Sequence, residues 1–392
     1  MIPYYNPHFG FLDLIRTMFC LGAESKLAEK FQDLTGKKHI LFTSSCRSAL
    51  YLAYKAIGRN GFVHTSPLTC KVALLPIIAS ENKIFFHDVK QNDWTLDPNA
   101  VKAGIRKESI AIQAIHFGGF PCDMHALRQI ADEYNLVLIE DCAQGYGSSY
   151  DGVAAGQMGD ISCFTLTKNL FSLGGGVFAT NNKEWYLRAK ELQQGFGNEN
   201  RIKIVYRVIM ALLTTYRARP LLEMLYQFIK KRVKDLDAVD ELNVLEKELT
   251  KPAKLYLKSC WSRWSTIQAL VEIRKEAAKS LLNEVGVSSE LKQSNPLSES
   301  SYTKLFVLSR KGSQESIQEL NEQGIEAMHL EHKHLVKYQA KLLSYADSNL
   351  PSYYLKAYEN IHDRLLSLPV AEDTLNKSKH LQLINAMRMI NE

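Results

Sequence analysis

The sequence lacks the cysteine spacings of disulfide scaffolds and thiolate zinc sites. Its seven cysteines are an odd number, lie scattered along the chain and include no Cys-x-x-Cys pair. This usage is typical of a protein in a reducing cytosol. With 21 glycines and 11 prolines among 392 residues, the chain is neither collagen-like nor disordered. We expect a globular protein of at least two lobes, because single cores rarely grow past about 250 to 300 residues.

Long apolar runs and targeting signals are also lacking. No stretch approaches the roughly 18 consecutive apolar residues of a membrane-spanning helix. No lysine or arginine precedes Arg16, so the start of the sequence does not have the charged head of a signal peptide. We therefore do not expect an integral membrane protein.

Basic charge is concentrated between residues 201 and 234. This segment holds nine lysines and arginines and a single acid, Glu223, whereas the net charge of the whole chain is only +6. The remaining sequence is slightly acidic, which argues against a general nucleic-acid-binding surface. We expect no nucleic-acid partner.

Residues 38 to 180 alternate short apolar runs with stretches of helical periodicity. The runs HILFTSS, FVHTSPLTC, KIFFHDV, IAIQAIHF, LVLIED and ISCFTL contain the predicted strands, and HALRQIADEYN is a predicted helix between two of them. Such alternation predicts an α/β fold with a mostly parallel, doubly wound sheet. In these sheets ligands bind beyond the carboxyl ends of the strands.

Two further regions follow this α/β region. The pattern is helical from about residue 183 to 285, and after residue 300 strand-like YTKLFVLS precedes helical ESIQELNEQG and HLQLINAM. We predict a large α/β domain over residues 1–199, a basic amphipathic helical insertion over 200–258, and a helix with a smaller α+β domain over 259–392.

Two apolar stripes run through the predicted insertion, separated by Pro220. With nine basic side chains around them, they are typical of helices that lie in a membrane interface. The alternative is that they cover the mouth of a site or a subunit seam, which we favour because helical insertions commonly bury their stripe on the parent fold. Helical spacing gives the first stripe these residues: Ile204, Val205, Val208, Ile209, Leu212, Leu213 and Tyr216.

Three groups of polar residues follow predicted strands. Residues 43–48, TSSCRS, run from a strand into a helix and can bind an anion such as phosphate; a plain helix cap explains them equally well. Asp141 ends LVLIED, where a buried acid needs either a cation, such as a protonated ring nitrogen, or local N–H donors. Lys168 follows ISCFTL and is either a neutral amine that forms a Schiff base or an exposed lysine. Together they predict a pyridoxal 5′-phosphate (PLP) site.

Other candidate features are weaker. Residues 174–176, GGG, lie between a lysine and a strand, which is the wrong order for a dinucleotide loop. His329, His332 and His334 have polar surroundings that favour a solvated turn or substrate-side loop, and we predict no metal site. His116 either approaches the cofactor or is a hydrogen-bonded core histidine.

The sequence resembles the sugar-nucleotide aminotransferases of PLP fold type I, the DegT/DnrJ/StrS family, over nearly its whole length. SSCRSALYLA is similar to the phosphate loop of that family, and HFGGFPCDM to its HxxGxPxDM segment. EDCAQGYGSSYDG and GDISCFTLTKNL are similar to its EDxAQ and KNL motifs. The resemblance implies a PLP fold type I large domain with a mostly parallel sheet, followed by a smaller α+β domain.

The resemblance also implies roles for individual residues at the cofactor. Lys168 would bind PLP as a Schiff base, Asp141 would keep its ring nitrogen protonated, and Gln144 would lie against the ring. The phosphate would be bound by the backbone of two residues and by one hydroxyl, for which we choose Thr165 before Ser162; the two backbone residues are Cys46 and Arg47.

The sequence departs from the family pattern at several positions. Cys46 and Arg47 replace a Gly-Thr pair, which adds a cation able to bind phosphate or a substrate carboxylate. Cys70 stands where the family has the aromatic residue that stacks on the ring, and Trp261 where it has an asparagine from the neighbouring subunit. As substrate contacts we name two weaker candidates, His329 and Arg263.

The function that the resemblance implies is PLP-dependent transamination. Glutamate would donate the amino group, and a keto sugar nucleotide would accept it. The enzyme would be a cytoplasmic homodimer with its sites at the subunit interface, and residues 201–234 could bring it to the inner membrane surface. One alternative is another PLP reaction such as sugar dehydration, although the dehydratase relatives carry histidine in place of Lys168. The other is a non-catalytic PLP-fold sensor or membrane-associated protein.

Overall fold

The central sheet contains seven strands in the computed structural model, which describes residues 8–216, 221–222, 224–226, 228, 249–285, 293–329, 355–370 and 377–391. Its strand order is β1-β9-β8-β5-β4-β2-β3. The five strands from β8 to β3 are parallel, whereas β9 is antiparallel to both β8 and β1, so the predicted mostly parallel sheet is confirmed. The first nine strands of the chain are β1 His39–Thr43, β2 Phe62–Thr65, β3 Lys83–Phe86, β4 Ser109–Ile115, β5 Val137–Asp141, β6 Ser149–Tyr150, β7 Val153–Ala154, β8 Ile161–Thr165 and β9 Gly176–Thr180.

Helices cover both faces of this sheet. Alternate residues of β5 face opposite sides: Leu138 belongs to a buried cluster with Leu127, and Ile139 to another with Leu50. Because both faces are covered, the strands appear in the sequence as continuous apolar runs. The helices up to residue 194 are α1 Phe11–Phe19, α2 Ala23–Thr35, α3 Cys46–Ile57, α4 Lys71–Ala79, α5 Pro98–Gly104, α6 Met124–Glu133 and α7 Lys183–Gln194.

The predicted insertion starts with α8, Arg201–Tyr216. At its base β10, Gly197–Asn198, pairs in parallel with β11, Thr250–Lys251, so the chain leaves and re-enters the large domain at neighbouring points. Helices α9, Lys254–Trp261, and α10, Trp264–Val285, follow. The domain bounds at residues 199 and 258 stay predictions.

The predicted stripe of α8 divides between two faces. Val205 and Ile209 are exposed. The second stripe, after Pro220, consists of Leu221, Leu222, Leu225, Phe228 and Ile229. Of these, Leu221, Leu225 and Phe228 are exposed, and Ile229 lies outside the described residues. No helix in the described ranges is long and apolar enough to cross a membrane. Three residues one turn apart pack instead against the large domain: Ile204, Val208 and Leu212.

A smaller sheet forms the core of the C-terminal residues. Its strands are β13 Leu305–Leu308, β15 Leu365–Leu368 and β14 Met328–His329, antiparallel and in that order, while β12, Ser298–Glu299, pairs with β6. The rings of Phe306 and Phe117 stack with centroids 4.2 Å apart, which places the start of β13 beside the end of β4. The accompanying helices are α11 Ser313–Glu322, α12 Lys356–His362 and α13 Lys377–Asn391.

Candidate active site

The carboxyl ends of β4, β5 and β8 and the N-terminus of α3 surround one pocket. Parallel strands end at the same edge of a sheet, which is where residues from distant segments of an α/β chain meet. Seven predicted residues line this pocket: Cys46, Arg47, Cys70, Asp141, Gln144, Thr165 and Lys168.

Lys168 lies in the connection between β8 and β9. A backbone hydrogen bond of 2.9 Å from Leu166 to Gly175 closes this connection. Burial lowers the pKa of Lys168 and the charge of Lys304 lowers it further, although Asp141 raises it. A larger share of the amine is therefore neutral, and able to add to a carbonyl, than in an exposed lysine.

Asp141 ends β5 and is 2% exposed. One carboxylate oxygen accepts a hydrogen bond from the amide of Ala143 and the other from the side chain of Gln113, both at 3.1 Å. Burial raises the pKa of Asp141 in spite of these donors. A cation in the pocket would stabilise the carboxylate, and a protonated pyridine nitrogen is such a cation.

The start of α3 forms the anion-binding end of the pocket. Ser45 caps the helix and accepts a hydrogen bond of 3.2 Å from the amide of Ser48. The first amides of a helix have no intrahelical acceptor, and the helix dipole adds positive potential to them. The hydroxyls of Thr165 and Thr167, 2.9 Å apart, also line the pocket. Ser162 is buried and donates to the carbonyl of Gly156 at 2.7 Å, so the second candidate for the phosphate hydroxyl is not placed to bind it.

The remaining wall carries Gln144 and two rings. The side-chain oxygen of Gln144 accepts a hydrogen bond of 2.8 Å from the amide of Gly118, a position whose φ of 71° suits glycine. Cys70 provides no ring, and the aromatic side chains among the described lining residues are His116 and Phe117. His116 also bonds to Glu140 at 3.1 Å, so it both lines the pocket and is a bonded core histidine.

Two predicted substrate contacts lie elsewhere. Arg263 is 1% exposed and donates to the carbonyls of Phe171 and His8 at 2.9 and 2.7 Å. Its guanidinium joins the N-terminal segment to the Lys168 connection and does not line the described pocket, and its contact with substrate stays a prediction. His329 ends β14, where it pairs with Leu366, and its contact with substrate stays a prediction. His332 and His334 lie outside the described residues.

Sequence reasoning misses three polar residues of the pocket, Thr69, Thr167 and Arg207. Thr167 precedes Lys168 in the same connection, so its position alone could have identified it. Arg207 belongs to α8, and its Nη1 donates to the carbonyl of Leu173 at 3.3 Å. No local motif marks Arg207, because only the packing of α8 brings it to the pocket.

The donor set of the pocket fits PLP. The amine of Lys168 can add to the aldehyde of PLP, the buried carboxylate of Asp141 suits its ring nitrogen, and the N-terminus of α3 with the nearby hydroxyls suits its phosphate.

His116, Glu140 and Cys142 are close enough together to be considered as metal ligands. The oxygens of Glu140, however, already accept hydrogen bonds from His116 and from the amides of Gly156 and Gly159.

Comparison with known proteins identifies a family. The family model described as "DegT/DnrJ/EryC1/StrS aminotransferase family" matches residues 18–219, more than half of the chain.

Curated relatives match over less than half of the chain. The spore coat polysaccharide biosynthesis protein SpsC of Bacillus subtilis is 34% identical over 160 residues, which are 40% of this chain and 41% of SpsC. A UDP-4-amino-4,6-dideoxy-N-acetyl-β-L-altrosamine transaminase of Campylobacter jejuni is 34% identical over 171 residues, which are 42% of this chain and 45% of that protein. The matched segment thus spans less than half the length of these relatives.

Solved structures match over the whole fold. The sugar aminotransferase CalS13 of Micromonospora echinospora has a TM-score of 0.76 at 18% identity, covering 99% of this chain and 100% of that one. Helicobacter pylori PseC, an aminotransferase involved in the biosynthesis of pseudoaminic acid, has a TM-score of 0.73 at 17% identity, covering 99% and 98%. At such identities the likeness shows the fold, and the predicted PLP fold type I architecture is confirmed. The family match assigns the rest: this chain belongs to the DegT/DnrJ/EryC1/StrS aminotransferase family.

Proposed function

We propose that this chain is a PLP-dependent aminotransferase that transfers an amino group from glutamate to a keto sugar nucleotide. The observation that carries the proposal is that one pocket holds the Lys168 amine, the buried Asp141 carboxylate and the N-terminus of α3. Family membership supports the reaction class.

Each residue of the pocket has a separate task in this proposal. PLP, when bound, supplies a ring that stabilises negative charge on the substrate carbon. Lys168 would hold the cofactor, and its amine would move a proton at the substrate carbon; its lowered pKa leaves a larger share of it neutral than in an exposed lysine. Asp141 would keep a proton on the ring nitrogen. The first turn of α3 and the hydroxyl of Thr165 would bind the phosphate, and Gln144 would lie against the ring.

The substrate class rests on the names of relatives. One relative is a transaminase named for a UDP-linked amino sugar, and another, from Escherichia coli O157:H7, is a GDP-perosamine synthase. A third is named L-glutamine:2-deoxy-scyllo-inosose aminotransferase, so glutamine belongs beside glutamate in any donor screen. We therefore propose a nucleotide-linked keto sugar as acceptor, with the sugar and the nucleotide to be found by screening.

We propose a cytoplasmic homodimer, and the exposed apolar side chains of α1 and α8 are candidates for its interface. The two helices meet where the rings of Phe11 and Tyr216 stack at 5.7 Å. Phe11, Ile15, Val205 and Ile209 are each more than 40% exposed, which is unusual for apolar residues on neighbouring helices. The seven cysteines are all free, as a reducing compartment requires.

A membrane contact through residues 201–234 is the alternative use of this surface. Sedimentation with vesicles of anionic lipid, with and without these residues, distinguishes the two. We expect both forms to stay in the supernatant and the full chain to elute as a dimer. Pelleting of the full chain alone would assign the surface to lipid.

The absorbance spectrum of the purified protein tests the activity. We expect a yellow protein whose visible band is lost in Lys168→Ala and bleached by glutamate or glutamine. Lys168→Arg is the matched control, because it keeps the positive charge and cannot bind an aldehyde covalently; it should also be colourless. If added PLP left the absorbance spectrum of the wild-type protein unchanged, the proposal would be wrong. A visible band that no amino acid bleaches would indicate another PLP reaction.

A further inference from the structure

One charged side chain of the pocket has no part in the proposed reaction. Arg207 comes from α8, in the segment that we predicted to be an insertion, and lines the same pocket as Ser45, Arg47 and Lys168. Within the described ranges no carboxylate forms an ion pair with it, in contrast to Lys203 one turn earlier, whose Nζ lies 3.0 Å from Glu199.

The backbone of residues 173–175 fixes the end of the pocket at which Arg207 lies. Its Nη1 donates to the carbonyl of Leu173, and a Cβ on Gly174 would collide with this atom. The amide of Gly175 in turn donates to the carbonyl of Ser44 at 3.1 Å, next to the cap of α3. Residues 173–175 therefore contact both Arg207 and the residue before the cap of α3, so Arg207 lines the pocket at its anion-binding end.

Packing holds the guanidinium in this place. Its Cζ lies 5.1 Å from the ring centroid of Tyr256, a fully buried residue at the start of α9. Stacking on an aromatic face orients the planar group, and a guanidinium has five N–H donors, of which the carbonyl of Leu173 uses one. Several charge-bearing donors are thus available to an anion in the pocket.

We infer that Arg207 binds the phosphate of PLP, so that a helix of the predicted insertion completes the cofactor site within the same chain. The inference rests on the proposed function only in that PLP is the ligand. A phosphate carries close to two negative charges at neutral pH, whereas the amides of the helix N-terminus supply only partial charges. Arg47, in the first turn of α3, brings one full positive charge to the pocket, and Arg207 adds a second.

Affinity for PLP and for pyridoxal, which lacks the phosphate, tests the inference directly. Both are titrated into cofactor-free protein and followed by the visible absorbance. We expect Arg207→Gln to weaken PLP binding roughly 10- to 100-fold, the range for hydrogen bonds to a charged group, and to leave pyridoxal binding unchanged. Lys203→Gln is the matched control on the same helix and should leave both affinities unchanged.

A second measurement uses inorganic phosphate as the probe. Inorganic phosphate should compete with the phosphate group of PLP for the anion-binding end of the pocket. It should therefore slow the capture of PLP by the wild type, and slow it less in Arg207→Gln. In Arg207→Lys, which keeps the charge with fewer donors, the slowing by phosphate should lie between that of the wild type and that of Arg207→Gln. This variant also serves as a control for a general loss of folding. Equal losses for PLP and pyridoxal, or no loss for either, would overturn the inference.

Further outcomes separate this inference from its alternatives. If PLP affinity is unchanged in Arg207→Gln while the KM for a sugar nucleotide rises, Arg207 binds a substrate anion and the inference is wrong. If the wild type binds PLP but transfers no amino group, the proposed activity fails and the PLP-against-pyridoxal difference still decides on Arg207. If the wild type binds no PLP, both the proposed function and the inference about Arg207 are wrong.

Discussion

Two neighbouring acids on β5, Glu140 and Asp141, are almost equally buried, at 1% and 2% exposed, yet their surroundings differ. The oxygens of Glu140 accept hydrogen bonds from His116 at 3.1 Å and from two backbone amides. Burial alone would raise the pKa of Glu140, but His116 and these amides lower it below its ordinary value. Asp141 faces the pocket, and there burial raises its pKa in spite of hydrogen bonds from Ala143, from Gln113 and, at 3.8 Å, from the thiol of Cys46.

The difference separates an acid whose partners the protein supplies from an acid that faces the pocket and that we propose to act on the cofactor. The protein itself supplies every partner that Glu140 needs, whereas the charge of Asp141 is only partly compensated until a cation enters the pocket. Alternation along the strand is the cause, since successive side chains point to opposite faces of the sheet. Four predictions test this contrast.

The largest effect is expected for Asp141→Asn. Loss of the carboxylate should lower kcat on the order of 10³-fold, the range for removing an electrostatic group from a water-excluded site. The cofactor-free variant should be at least as stable as the wild type in urea, because the raised pKa of Asp141 means that its charge opposes folding at neutral pH. A clear loss of stability would show that Asp141 is structural.

The matched change, Glu140→Gln, should show the reverse pattern. It leaves His116 buried without its carboxylate, and breaking such a pair costs about 3 kcal/mol of the free energy of unfolding. Urea unfolding of the cofactor-free protein measures this cost. If Glu140→Gln left the free energy of unfolding unchanged and abolished activity, Glu140 would not be the structural member of the two acids.

The buried pair His64 and His87 extends the comparison to histidines that, unlike His116, are not paired with a carboxylate. Their ring nitrogens lie 2.7 Å apart, and burial lowers the pKa of His64 to about 4. A folded-state pKa below the unfolded value of 6.5 means that stability is lost as pH falls from 6.5 to 4. This loss should amount to about 3 kcal/mol from His64.

Urea unfolding between pH 4 and 7.5 measures that loss. His64→Gln should flatten the pH dependence. His125→Gln, at an exposed histidine that pairs with Asp151, is the control and should leave the dependence as it is. If the free energy of unfolding depended on pH in the same way in the wild type and in His64→Gln, His64 would not be the source of the loss of stability.

The smallest effect is expected for Lys304→Gln. Burial lowers the pKa of Lys168 and Lys304 lowers it further, so removal of the second charge should raise that pKa. Capture of PLP requires the neutral amine, and its rate should reach half its maximum at a higher pH than in the wild type. Stopped-flow absorbance measures the shift, with Lys102→Gln as an exposed control. A shift to lower pH would exclude this role for Lys304.

The sequence predicts the fold well because both faces of the sheet are covered. Strands such as LVLIED are then short apolar runs, and the turn residues that follow them mark the edge where the pocket forms. Lys168, Asp141 and residues 43–48 follow from this rule together with their chemistry.

The remainder of the pocket depends on packing that has no local pattern. Arg207 reaches the pocket only because Ile204, Val208 and Leu212 pack α8 on the large domain, and periodicity groups these residues with the exposed Val205. Arg263 is the opposite case, because it matches a family pattern while its guanidinium donates to backbone carbonyls outside the described pocket.

Borohydride reduction of the holoenzyme, followed by peptide mass mapping, tests the covalent claim most directly. Reduction makes the bond between the cofactor and its lysine permanent, so the labelled peptide identifies the residue. The account predicts one label per chain, on Lys168, and far less label in Asp141→Asn treated in the same way. A label on Lys304 or on another lysine, or no label at all, would contradict it.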